Sequence, residues 1–139
     1  MEYETFEHEA DVGIAGYGRT LEEAFENAAR AMFSVMVELD TVEPKDEVRV
    51  EVEAEEVEML LVEWLNELLS QAHLSGMVFR DFRVKIRREG SMRLEGVAMG
   101  ERLNPEKHLL KVEVKAATYS MLEVGRRDGR YYARCIVDV

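Results

Sequence analysis

Cysteine and proline are both scarce in this chain. Of 139 residues only one is cysteine, Cys135, which excludes an intramolecular disulfide and suits a reducing compartment. Two prolines, Pro44 and Pro105, are all there are. No repeat, low-complexity tract or linker divides the chain, so residues 1–139 read as one domain. Long apolar runs are missing too: none could span a bilayer, and Met1-Glu2-Tyr3-Glu4 is not the basic lead-in of a signal peptide. A cytoplasmic protein with no membrane partner is expected. Positive charge is in deficit, with 18 Lys and Arg against 29 Asp and Glu and a net charge of −11. Such a surface repels phosphates, so no direct stable nucleic-acid binding is expected; a basic protein or a cation suits it better. There is no Gly-rich phosphate loop, and Ser120 and Cys135 have no neighbouring His to act as a base, so the chain does not read as an enzyme.

What is present is a globular pattern, 47% hydrophobic and 34% charged, long enough to bury a real core. Tyr3 to Phe6 reads as a short strand. Val12, Ile14 and Gly16 alternate with Gly13, Ala15 and Tyr17, a strand of small residues lying close to a neighbour. Thr20 and Glu23 have capping-box spacing, and Leu21, Ala24, Phe25, Ala28, Met32 and Met36 share one helical face, so a helix runs from there towards Asp40. Val48, Val50, Val52 and Ala54 alternate with charged residues as a half-buried strand. A second helix carries Val57, Leu60, Leu61, Trp64, Leu65, Leu68, Leu69 and Ala72 on its apolar stripe and stops at Gly76.

The rest reads as strand. Val78, Phe82, Val84 and Ile86 alternate with charge, and Glu89-Gly90 turns the chain. Met92 and Leu94 return it, and Gly96 is expected to mark a bulge because the apolar positions then fall on Val97 and Met99. Leu103 to His108 is a loop; Leu110, Val112, Val114 and Ala116 form a further strand; Asp128-Gly129 makes a hairpin into the last one. The fold expected is α+β: a largely antiparallel or mixed sheet with two helices packed on one face.

Chemistry concentrates at His8-Glu9-Ala10-Asp11-Val12-Gly13 and at Asp138-Val139. If the first hairpin and the last strand share a sheet, Asp11, Asp138 and the Val139 carboxylate converge. Two such charges about 4 Å apart repel by roughly 4 kcal/mol at an effective dielectric near 20, so a cation, a Lys or a shared proton must neutralise them. One reading is a divalent cation held by oxygens, Ca²⁺ or Mg²⁺; the other is two strand-end aspartates solvated or bonded to backbone N–H groups. His8 as a ligand would tilt the site towards Zn²⁺, but no Cys or second nearby His completes a zinc set. Orientation of a carboxylate is its expected role. Lys115 reads either as a solvated cation or as one facing the acids or a phosphate. The basic stripes at Arg83, Lys85, Arg87 and Arg88 and at Arg126, Arg127 and Arg130 read as solvated faces, since neither interleaves with aromatics along the chain.

Taken in order, His8-Glu-Ala-Asp-Val-Gly-Ile14, Gly16-Tyr-Gly18 with Leu21-Glu-Glu-Ala-Phe25, Val78-Phe-Arg-Asp-Phe82, Gly100-Glu-Arg-Leu103, Lys115-Ala-Ala-Thr-Tyr119 and Asp138-Val139 resemble the archease family over essentially the whole chain. The resemblance implies a small α+β protein that activates the RtcB-type RNA ligase of tRNA splicing, promoting its GTP-dependent guanylylation and repeated turnover without being the catalyst; a general chaperone of nucleic-acid-modifying enzymes is the alternative. It carries the family's metal-binding acids onto Asp11 and Asp138, with the terminus Val139 nearby, its functional lysine onto Lys115, and the histidine of its first motif onto His8. Glu9 and Ser120 depart from the pattern, where many members have Thr and His.

Overall fold

The computed structural model of the chain describes all residues, Met1–Val139. The alternating and one-sided stretches of sequence become ten elements: β1 (Tyr3–His8), β2 (Asp11–Gly18), α1 (Leu21–Met36), β3 (Asp46–Ala54), α2 (Val57–Ser75), β4 (Met77–Glu89), β5 (Ser91–Arg102), β6 (Ala116–Ala117), β7 (Glu123–Arg127) and β8 (Arg130–Asp138), with a 3₁₀ turn at Leu39–Thr41. Thr20 caps α1 by accepting the Glu23 N–H at 3.1 Å, and Gly76 ends α2 in the left-handed conformation, φ 67°, both as the spacing requires.

The fold is α+β, and its strands divide into two antiparallel sheets. One has the order β1-β2-β8-β6, with β7 also paired to β8; the other is β3-β5-β4. The helices cover the inner faces. Against the first sheet α1 comes to backbone contact, since a Cβ on Gly16 would lie 2.1 Å from the Ala28 nitrogen. Against the second it presents Phe33, whose ring meets Phe79 edge-on at 5.5 Å and Phe82 at 5.6 Å. Trp64 of α2 meets Phe82 edge-on at 6.2 Å and donates its indole N–H to the Phe25 carbonyl at 3.1 Å, so the largest buried ring leaves no orphan donor. One apolar cluster runs through both helices and both sheets. The outer edge of β4 is guarded by α1: the Glu26 and Glu22 carboxylates accept the Val84 and Ile86 N–H groups at 2.9 and 3.4 Å. Two donors of an open edge are thereby satisfied.

Three expectations need correction. Gly96 is not a bulge: β5 keeps its register with β3 and β4 through that position, and the shift occurs on β4 between Phe79 and Asp81. Gly96 is small because Trp64 packs on it, and a Cβ there would lie 2.5 Å from the indole ring. The stretch from Leu110 to Ala116 is not one strand, because its backbone is spent elsewhere. Leu110 bridges Val37, and the Lys111 and Val112 N–H groups donate to the Met36 and Val35 carbonyls at the end of α1. Only Ala116 and Ala117 pair with β8. The first helix stops at Met36, short of Asp40, because Val37 turns extended to make that bridge.

Two glycines of β2 differ in what a methyl group would meet. At Gly16 the obstacle is helix backbone; at Gly13 it is the Phe6 ring, 2.1 Å away, which can swing aside. Gly16→Ala is expected to cost about 3 kcal/mol or more, the upper range of overpacking, and Gly13→Ala clearly less. Urea unfolding midpoints of the two variants check the order.

Candidate functional site

The register of the first sheet decides where the acids lie. β1 and β2 form a hairpin in which His8 is opposite Asp11, joined by Glu9-Ala10 with Glu9 at φ 54°. β2 then pairs with β8 from Gly18↔Tyr131 to Val12↔Val137, and one further step along that register sets Asp11 against Asp138. On its other side Asp138 is opposite Ala116, and its carbonyl accepts the Lys115 N–H at 2.8 Å. Residues opposite one another across antiparallel strands project to the same face. His8, Asp11 and Asp138 therefore share one row and one side of the sheet, with Lys115 fixed by its backbone beside the last of them.

The side chains of His8, Asp11, Asp138 and Val139 are half-buried, and Lys115 is exposed. Neither aspartate carboxylate has an ion-pair or hydrogen-bond partner in the chain, and the His8 ring makes no hydrogen bond to the Asp11 carboxylate. No group of three His, Cys, Asp or Glu side chains comes together to hold a metal; the two aspartates are a pair, and any third protein oxygen has to come from Val139 or a backbone carbonyl. The carboxylates of the row offer oxygen, and the His8 ring opposite Asp11 is its one nitrogen donor. Around Lys115 the chain also leaves apolar side chains in water: Leu109 is 60% exposed, Val112 52% and Tyr119 61%.

A second polar cluster was not legible in the strand pattern. Glu101, at the end of β5, is only 4% exposed, and His108 only 3%. The Glu101 carboxylate accepts from the Glu43 N–H at 2.8 Å, from Lys107 Nζ at 2.9 Å and from His108 Nε2 at 2.9 Å. His108 Nδ1 accepts the Asn104 N–H at 2.9 Å, which fixes the proton of the neutral ring on Nε2. The His108 hydrogen bond above all, then the Glu43 and Lys107 ones, draws the Glu101 carboxyl down to about 2. This network has a structural job: it folds the Asn104–His108 loop over the end of β5. The one hint in the sequence was Asn104-Pro105, a turn that returns His108 to Glu101. Cys135 is also settled by packing, since burial pushes its thiol up to about 12 and makes it an inert core residue.

The chain as a whole has counterparts among known proteins. The model of the archease protein family matches residues 3–139. The chain belongs to the archease family. It is 48% identical over 140 residues to the archease of Pyrococcus furiosus, covering 99% of both chains, and 43% identical to that of Sulfolobus acidocaldarius, covering 99% and 98%. The solution structure of Methanobacterium thermoautotrophicum protein 1598 matches with a TM-score of 0.87 at 43% identity over 99% of each chain. A crystal structure from Thermotoga maritima, described as an archease and possible chaperone, shares the fold at a TM-score of 0.60 and 20% identity. No helix of this chain is long and apolar enough to cross a membrane.

The Glu101 network makes a pH prediction. Its folded carboxyl lies at about 2 against an ordinary 4.5. The stability it contributes is therefore complete above pH 4.5 and is lost as pH falls through about 2. Glu101→Gln should melt several degrees below wild type near neutral pH, and the gap should close as both are acidified across that window. Thermal melts at a series of pH values measure it.

Proposed function

We propose that this protein activates an RtcB-type tRNA-splicing RNA ligase, promoting its GTP-dependent guanylylation and multiple turnover, and is not itself the catalyst. The observation that carries this is the cross-strand placement of Asp11 against Asp138, with Lys115 hydrogen-bonded beside it. Like charges directly opposite on a ladder destabilise it, and a sheet end that keeps two unpartnered carboxylates there has a use for them. Asp11, Asp138 and the Val139 carboxylate would hold a divalent cation, Ca²⁺ or Mg²⁺. When bound, that ion supplies fixed positive charge at the tip of the sheet. His8, across the hairpin from Asp11, limits the positions the Asp11 carboxylate can take. Lys115 carries its ammonium into solvent with a held backbone, placed to meet a phosphate or an acidic group of the ligase. The net charge of −11 speeds encounter with a basic partner, so association weakens with added salt.

A second reading has its own observation. Leu109, Leu110, Val112, Tyr119 and Met121 are all exposed along one stretch, an apolar surface that a general chaperone of nucleic-acid-modifying enzymes could use without any cation. The two readings part on one triple variant. Asp11→Ala, Asp138→Ala and Lys115→Ala are each expected to lower stimulation of ligase guanylylation by about tenfold or more, at least the effect of disturbing an outer-shell metal partner. Calorimetric Ca²⁺ titration of the folded protein should lose its signal in the two aspartate variants. If the triple variant stimulates the ligase like wild type, the acidic site is rejected; if it still suppresses client aggregation while losing stimulation, the apolar surface has a separate role.

A further inference from the structure

The face that carries Asp11 and Asp138 continues along the sheet and reverses its charge. Moving by twos along each strand stays on one side, and the pairings give the rows. After Phe6, Gly13 and Ile136 come Glu4, Ala15, Arg134 and Glu123, then Tyr17 and Tyr132, then Arg130 opposite Arg127 at the tip of the β7–β8 hairpin. Tyr17 lies six residues beyond Asp11, about 20 Å at the rise of a strand.

At this far end the arginines and tyrosines are interleaved in space although they are not in sequence. The Arg130 guanidinium sits 4.0 Å from the centre of the Tyr17 ring, and that of Arg127 lies 5.3 Å from the centre of Tyr132. Each ring is held from its other end, Tyr17 by a hydroxyl hydrogen bond to Glu4 and Tyr132 by one of 2.7 Å to Glu123. Glu123 also pairs with Arg134 at 2.6 Å. Arg127 and Arg130 form no ion pair; the only further contact of Arg130 is with the Met1 carbonyl at 3.3 Å. A cleft of about 160 Å³ opens among Tyr17, Arg127, Asp128, Arg130, Tyr132 and Arg134, with Ala15 in its lining. Arg134 Nε is the one buried side-chain polar atom in the molecule without a hydrogen-bond partner, a donor in want of an acceptor.

We infer that this Arg–Tyr cleft binds a phosphate group carried by a nucleotide or by an RNA strand. A guanidinium stacked on a ring keeps its in-plane N–H groups free, and those donors form the fork that matches a phosphate. Two such groups face each other across the hairpin, and the stacking has already removed much of the side-chain freedom that binding would otherwise cost. Three arginines line the cleft with one carboxylate, Asp128; Glu123 pairs with Arg134, so Arg127 and Arg130 are the cations left to meet a phosphate. The small cleft takes one phosphate, and the chain's net charge of −11 repels a longer polyanion. Contact with RNA is therefore short and salt-sensitive.

The test uses the full-length protein, with Arg side-chain Nε resonances followed by NMR at low salt while inorganic phosphate, GTP or a short single-stranded RNA is added. Phosphate is expected to shift Arg127, Arg130 and Arg134. Arg127→Ala and Arg130→Gln, the second keeping a side chain over Tyr17, should each weaken binding about tenfold, the loss of one charged hydrogen bond. Arg88→Ala, on the other sheet, should leave it unchanged. If GTP binds as tightly as the RNA, the source is a nucleotide. If the RNA binds more tightly, and each arginine removed lowers its salt slope by about one, the source is an RNA backbone. No shift at these three arginines with any probe, or equal weakening by Arg88→Ala, overturns the assignment.

Discussion

The pairing of β2 with β8 is the contact on which the rest of the structure depends. It joins the second strand of the chain to the last in one ladder, so the first sheet cannot be complete until the ends of the polypeptide have met. β2 can occupy that central place because its residues are small on both sides. On the inner side Gly16 admits the backbone of α1, and on the outer side Gly13 lies under the Phe6 ring. The same ladder sets the site: because the register is fixed by the buried alternation of Ile14, Cys135 and Val137, a slip of one residue would turn the core face outward. Asp11 and Asp138 are held opposite one another by the hydrophobic core.

Much of this was legible in local sequence. Alternation in Val48–Ala54, the caps at Thr20 and Gly76, the turn at Asp128-Gly129 and the small residues of β2 each report a short-range constraint, and each was read correctly. What was not legible depends on a distant partner. A glycine in a strand signals either a bulge or a close approach; at Gly96 only the position of Trp64, on another element, decides between them. The alternation from Leu110 to Ala116 is real and the chain there is extended, but the carbonyls it meets belong to the end of α1. Glu101 has the look of a surface residue until His108 and Lys107 fold back over it. Arg126 and Arg127 are separated from Tyr131 and Tyr132 in the chain, yet the turn at Asp128-Gly129 puts Arg126 opposite Tyr131 and Arg127 diagonal to Tyr132.

Acidic residues outnumber basic ones, but where they meet structure they serve as acceptors. Glu22 and Glu26 take backbone N–H groups from the edge of β4, and burial pushes the Glu26 carboxyl up while the Val84 hydrogen bond opposes it. Glu101 satisfies a loop, and Glu4 and Glu123 fix tyrosine hydroxyls. The negative charge of the chain is thus partly a supply of hydrogen-bond acceptors for edges and loops, a use that net charge alone does not reveal.

That usage makes the exception informative. Glu51 and Glu95 are also opposite one another, across β3 and β5, but Arg87 pairs with Glu95 at 3.4 Å and relieves the repulsion. Arg87 and Arg93, opposite across β4 and β5, are relieved in turn by Glu95 and Glu53. Asp11 and Asp138 have the same like-charge arrangement without such a partner, and they are half-buried, where water screens them less. Lys115 is tied to Asp138 by its backbone alone and leaves its ammonium to solvent. The β3-β5-β4 sheet neutralises its opposed charges internally; the first sheet leaves Asp11 and Asp138 open at one end, as it leaves Arg127 and Arg130 open at the other, and at each end the electrostatic demand is for a group of opposite sign.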